Sequence, residues 1–236
     1  MGAIIRTGSL THGGLGAKAA SANAASCRGD SSASVELYWL PLGAGDAIPI
    51  VSWNGRIFEA LVARHNHREP LDLYHSALVV RLDGVRFVIE MAPVWESSAS
   101  NRGVVCEGAV GLPCLRRFRL FRYEVRRWQD GVIPDAALAV DSPRPISTDP
   151  ARTQLLLDLV PSFPTASWGR DELATGEMWN SNSLIAWLLA RSHHDTATIA
   201  QPTRGRAPGW YAGVLVATRE QAETIVPRGR RHLVAE

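Results

Sequence analysis

Two runs in which apolar and polar residues alternate, LYHSALVVRL and VRFVIEMAP, meet at Asp83-Gly84. Alternation is the two-residue period of a half-buried strand, and Asp-Gly is among the strongest two-residue hairpin turns. With the turn on those two residues, Leu82 faces Val85, Ala77 faces Glu90 and His75 faces Ala92. One face then carries Ser76, Leu78, Val80, Leu82, Val85, Phe87, Ile89 and Met91, and must be core. The other carries His75, Ala77, Val79, Arg81, Arg86, Val88 and Glu90. His75 and Glu90 are therefore diagonal cross-strand neighbours, within side-chain reach of each other.

The remaining pattern is more varied. VELYWLPLGAG predicts a strand ended by Pro41 and the Gly43/Gly45 pair, and NGRIFEALVARH a short strand or helix after an Asn54-Gly55 turn. CLRRFRLFRYEVRRW interleaves arginines with Phe118, Leu120, Phe121, Tyr123 and Val125, which predicts one long strand with a basic side, solvated or anion-binding. DGVIPDAALAV and DSPRPIS read as turn-rich connections. STDPARTQLLLDLVPSFP opens with a cap residue and Pro150 and stops at Pro161, the marks of a short amphipathic helix. GWYAGVLVATR reads as a final strand. Strands first and helices later define an α+β class, an antiparallel sheet or partial barrel packed against a buried central helix.

Composition adds boundaries. Residues 1–34 are mostly Gly, Ala and Ser, too poor in apolar side chains to offset ordering entropy, and are expected to be a disordered arm. Residues 35–220 then form a single α+β domain, with a basic tail over 221–236. The formal net charge is only +2 and Lys18 is the sole lysine, which fits genomic base composition rather than a nucleic-acid surface, so no nucleic-acid partner is expected. Cys27, Cys106 and Cys114 are odd in number and lack metal-ligand spacing, which suits a reducing, cytoplasmic location. No apolar run approaches the roughly 18 residues of a membrane span, and the start lacks the apolar middle of a signal peptide.

Chemistry concentrates in GEMWNSNSLIAWLLAR. Leu184 to Leu189 is apolar on nearly every side, as in a helix buried mid-domain. Asn180 is a good N-cap and puts Ser181 at the first helical position. The positive end of the helix and its unpaired N–H groups would lie beside Ser181, where an oxyanion could be held. Asn and Ser are also ordinary helix-start residues, so a cap and a reactive site are both open at this point.

YHSALVV and NSNSLIAWLL together resemble the His and nucleophile segments of the circularly permuted branch of the papain-like superfamily, which includes lecithin retinol acyltransferases and relatives of cell-wall amidases. The resemblance covers about a third of the chain. It implies a hydrolase or acyltransferase acting on an amide or ester of a small molecule or peptide without a cofactor. His75 would be the base and Ser181 the nucleophile, with Glu90 orienting His75. Asn180, Asn182 and Trp179 would line the cleft, and Trp187 would lie close by. The family uses a thiol where this chain has Ser181, and a serine must lose its proton to a well-oriented neutral imidazole during attack. The contrasting expectation is a non-catalytic binding or structural domain of the same fold.

Two rival motifs are weaker. His65, Asn66 and His67 have a spacing that could pair imidazoles, with His75 or His193 and His194 as further ligands, but no fixed partner follows, and no metal is expected. GVVCEGAVG is glycine-rich yet lacks the lysine of a phosphate loop.

Overall fold

In the computed structural model, the described residues are 32–42, 71–94, 101–203 and 205–225, all within one unit, Ser31–Glu236. The hairpin register is as the alternation predicts. β2 (Asp72–Leu82) and β3 (Val85–Pro93) pair Leu82 with Val85 and Leu78 with Ile89, across a turn in which Asp83 and Gly84 both have positive φ. That backbone matches the twist of the flanking strands.

β1 (Ala33–Pro41) runs antiparallel to β2 without a register break. β4 (Val104–Ala109) and β5 (Arg122–Gln129) extend the other side, and β6 (Val140–Ser147) pairs with β1, giving the order β4-β5-β3-β2-β1-β6. β7 (Gly205–Arg206) adds two residues parallel to β2. The described strands thus form an open sheet, antiparallel apart from β7. Among the described residues, three helices complete the α+β fold: α1 (Pro150–Leu159), α2 (Ser181–Arg191) and α3 (Trp210–Ile225).

All three helices share one core with the front face of the sheet. Val35, Leu37 and Trp39 of β1, Leu78, Val80 and Leu82 of β2, Ile89 and Met91 of β3, and Tyr123 and Val125 of β5 meet Leu156, Leu184, Ile185, Leu188 and Ala212 there. On the back face, Leu40, Ala77, Val79, Val88 and Ile133 form a second, smaller cluster.

Several sequence expectations are corrected. GWYAGVLVATR is the first part of α3, not a strand: Ala212 and Ala217 are fully buried, and a Cβ on Gly213 would come within 2.3 Å of the Ser183 carbonyl. These small residues bring α3 backbone-close to α2, and that packing overrides the β-propensity of Val214 and Val216. DSPRPIS lies in β6 rather than in a connection; Pro143 and Pro145 are tolerated because β6 is an edge strand. Only Arg122–Gln129 of the long arginine-rich run is a strand, since Pro113 starts a 3-10 turn over Pro113–Arg117 and a second covers Arg119–Phe121. α1 is as expected, with Asp149 accepting from the N–H groups of Ala151 and Arg152 and Pro150 following it.

β1 begins at Ala33, two residues before the expected domain boundary at 35, and α3 continues to Ile225, into the expected tail. The rest of the expected arm, the expected tail beyond 225, the NGRIFEALVARH element and the His65-Asn66-His67 motif lie outside the described residues.

Candidate functional site

The start of α2 is a closed set of hydrogen bonds. The Asn180 Oδ1 accepts from the N–H groups of Asn182 (2.9 Å) and Ser183 (3.3 Å), while the Asn180 N–H donates to Ser183 Oγ at 3.1 Å. This reciprocal capping box satisfies most of the first turn. The Leu184 N–H donates to the Asn180 carbonyl, leaving the Ser181 N–H as the first-turn donor with no partner among the described residues.

The side chains then tie α2 to two distant segments. Asn180 Nδ2 donates to the Pro208 carbonyl at 2.8 Å, and Ser183 Oγ donates to the Gly209 carbonyl at 2.9 Å. Asn182 Nδ2 donates both to Pro208 and to the Tyr74 carbonyl of β2, each at 2.9 Å. Its Oδ1 accepts from Ser76 Oγ at 2.8 Å. Gly209 is required where it stands: its φ is +86°, and a Cβ would lie 2.5 Å from Asn180 Oδ1 and 2.7 Å from the Met178 carbonyl.

The bond from Ser76 decides the geometry of the expected site. Ser76, Leu78 and Val80 point from β2 toward α2, so His75, one residue out of phase, points to the back face with Ala77 and Val79. The uninterrupted pairing of β2 with β1 leaves no bulge that could reverse this. The expected grouping of Ser181, His75 and Glu90 is therefore not assembled. An apolar helix buries itself on the apolar face of a hairpin, and that face excludes His75.

Each expected site residue has its own surroundings. Ser181 is 3% exposed, and its hydroxyl makes no hydrogen bond to a described residue. Asn180 and Asn182 are buried and committed to the protein's own groups. Trp179 belongs to the core: it stacks on Phe163 with ring centroids 5.0 Å apart, and its Nε1 donates to the Pro164 carbonyl. Trp187 is also core, with its Nε1 donating to Glu220. His75 has no hydrogen-bond partner among the described residues, and burial pulls its pKa down to about 4, so it is neutral at pH 7.

Glu90 shares the back face with His75 but serves a different partner. Arg126 lies opposite it on β5 and donates to Glu90 Oε1 at 2.7 Å. Burial raises the Glu90 pKa against the pull of Arg126. Arg126 also binds Glu124, which pairs in turn with Arg102. Burial pushes the Glu124 carboxyl up, but the hydrogen bonds from Arg102 and Arg126 outweigh it and hold the pKa below the usual range. Arg126 is only 4% exposed, and its buried Nη2 has no acceptor among the described residues.

The charged ladder and the Ser76 contact were not anticipated. Ser76 was the single polar residue on an otherwise apolar strand face, which is the signal that marks a polar contact across the core. Pro208-Gly209 is a turn dipeptide, but nothing local joins it to Asn180. A separate cavity of about 220 Å³ lies between β6, α1 and the turn after α2, lined by Arg144, Arg152, His194 and Asp195 among others; none of the expected site residues lines it. Among the described residues, no three His, Cys, Asp or Glu side chains group as a metal ion would need, and no helix is long and apolar enough to cross a membrane. No family model, curated protein or solved structure matches the chain.

Proposed function

We propose that this chain is a non-catalytic binding or structural domain whose order of parts resembles that of the permuted papain-like domains. The observation that carries this reading is the hydrogen bond from Ser76 to Asn182, which seats α2 on the face of β2 opposite His75. Attack by Ser181 needs a base within hydrogen-bond reach, about 2.6–3.2 Å or one water away, and His75 is on the wrong side of the sheet to serve. An oxyanion hole also needs free donors, whereas the N–H groups of Asn182 and Ser183 are held by Asn180.

Binding capacity remains on the back face. Ala77 and Ala92 form a small-residue floor on the faces of β2 and β3 that also carry His75, Glu90 and, across β5, Arg126. The Arg126 Nη2, which has no acceptor among the described residues, and the neutral His75 ring suit a carboxylate or carbonyl group of a small molecule or peptide. The hydrolase or acyltransferase reading rests on Ser181, whose hydroxyl and N–H have no partner among the described residues and lie at the positive end of a buried helix; it requires a base other than His75.

The test is labelling of the full chain with a fluorophosphonate probe, read by intact mass. No adduct at Ser181 is expected. An adduct lost in both Ser181→Ala and His75→Ala would overturn the non-catalytic reading, since it would show the two residues acting together.

A further inference from the structure

The connection between β4 and β5 carries an unusual surface. Neither of its 3-10 turns, Pro113–Arg117 and Arg119–Phe121, contains a buried residue. Leu112, Phe118 and Leu120 are 49%, 48% and 60% exposed, so three of the seven large exposed hydrophobics among the described residues fall on one short stretch. Arg116, Arg117 and Arg119 stand exposed between them, and Arg117 lies over the Phe118 ring at 4.7 Å.

These arginines have no carboxylate partner among the described residues. The segment contains no Asp or Glu, and the flanking acids are engaged: Glu107 by Arg122, and Glu124 by Arg102 and Arg126. The stretch therefore presents apolar tips and exposed guanidinium groups to solvent together. The headgroup and acyl boundary of an anionic bilayer accepts both within about 5–10 Å of depth. A nucleic acid would meet the arginines and stack on Phe118, but it would leave Leu112 and Leu120 facing water.

We propose that residues 112–120 form a docking tip for an anionic phospholipid surface. Leu112, Phe118 and Leu120 enter the acyl boundary, and Arg116, Arg117 and Arg119 bind lipid phosphates. This attachment is independent of the reading given for the back face. At about fivefold per arginine, the three cations together supply on the order of a hundredfold in partitioning, and high salt screens that share.

The test is co-sedimentation of the full chain with vesicles of phosphatidylcholine alone and with an equal mixture of phosphatidylcholine and phosphatidylglycerol. Binding is expected to the mixed vesicles, weakened by high salt. Replacing Arg116, Arg117 and Arg119 by Gln lowers partitioning about a hundredfold. The variant combining Leu112→Ser, Phe118→Ser and Leu120→Ser lowers it by at least about tenfold with an unchanged thermal midpoint, because these side chains are exposed in the free protein. Leu120→Ser alone gives a smaller loss in the same direction. A polarity-sensitive dye on the exposed Cys114 shifts to the blue on the mixed vesicles. The proposal is overturned if the mixed vesicles do not bind the chain, if the serine variant binds them as well as the parent, or if single-stranded nucleic acid is bound more tightly and the serine variant retains that binding.

Discussion

Asn182 and Ser181 are neighbours at the start of one helix, and the structure gives them opposite weights. Asn182→Ala removes both donors and the acceptor of a side chain that is 2% exposed. The Pro208 carbonyl keeps the bond from Asn180, but the Tyr74 carbonyl and the Ser76 hydroxyl lose the partner described for them. A buried polar group left without its partner costs about 1–3 kcal/mol, so two of them cost about 2–6 kcal/mol. For a chain of this size, at about 2–4 °C per kcal/mol, that lowers the thermal midpoint by about 4–24 °C. Ser181→Ala removes no hydrogen bond to a described residue and leaves the cap intact, so its effect stays within about 0.5 kcal/mol. Urea unfolding followed by tryptophan fluorescence measures both. A double-mutant cycle between Ser76→Ala and Asn182→Ala should return a coupling of about 1–2 kcal/mol. A cost below about 1 kcal/mol for Asn182→Ala, or above about 2 kcal/mol for Ser181→Ala, would refute the assignment of Asn182 as the tie and Ser181 as the bystander.

Two further outcomes follow from backbone and charge. Gly209→Ala should cost about 3 kcal/mol or more, because its Cβ would strike Asn180 Oδ1, whereas Gly176→Ala, with φ +85° and nothing within 4 Å, should cost only the roughly 1–2 kcal/mol of left-handed backbone; equal losses in thermal melts would show that the close approach at Gly209 is not needed. His75 is neutral in the folded state down to a pKa of about 4, while the unfolded chain protonates it near 6.5. The unfolded state then binds the extra proton, so stability falls as pH drops from about 6.5 and levels off below about 4, by up to about 3 kcal/mol. Denaturation across that range for the parent and His75→Gln checks this, and an identical pH slope in both proteins would remove His75 as its source.

The hairpin was legible because alternation and Asp83-Gly84 fix register together, and Leu82 does pair with Val85. α1 and α2 were legible because Asp149, Pro150 and Asn180 are local start signals that act within one turn of helix. α3 was hidden because Val214 to Val216 reads as a strand, and its helical state depends on Gly213 meeting Ser183 and Trp187 of another helix. β6 was hidden for the converse reason: its prolines look like breakers until the strand is known to lie at an edge. At the candidate site, the sequence placed His75 and Glu90 on one face correctly, yet the partner of Glu90 is Arg126, a residue of β5 that no hairpin pattern could bring next to it. Which face of the hairpin receives α2 is a tertiary choice, and Ser76 records it.

The clasp at the start of α2 also bears on the order in which the chain can mature. Its components come from Tyr74 and Ser76, from Asn180 to Ser183, and from Pro208 and Gly209, with sequence separations of 106 residues on one side and 26 on the other. A ribosome that has released residues through Leu189 has delivered the hairpin and the central helix but not the Pro208 and Gly209 carbonyls that Asn180, Asn182 and Ser183 bind. The local capping box and the bonds to Tyr74 and Ser76 can close before Gly209 emerges, but the clasp that offsets the entropy of joining the remote hairpin is complete only when the last helix arrives.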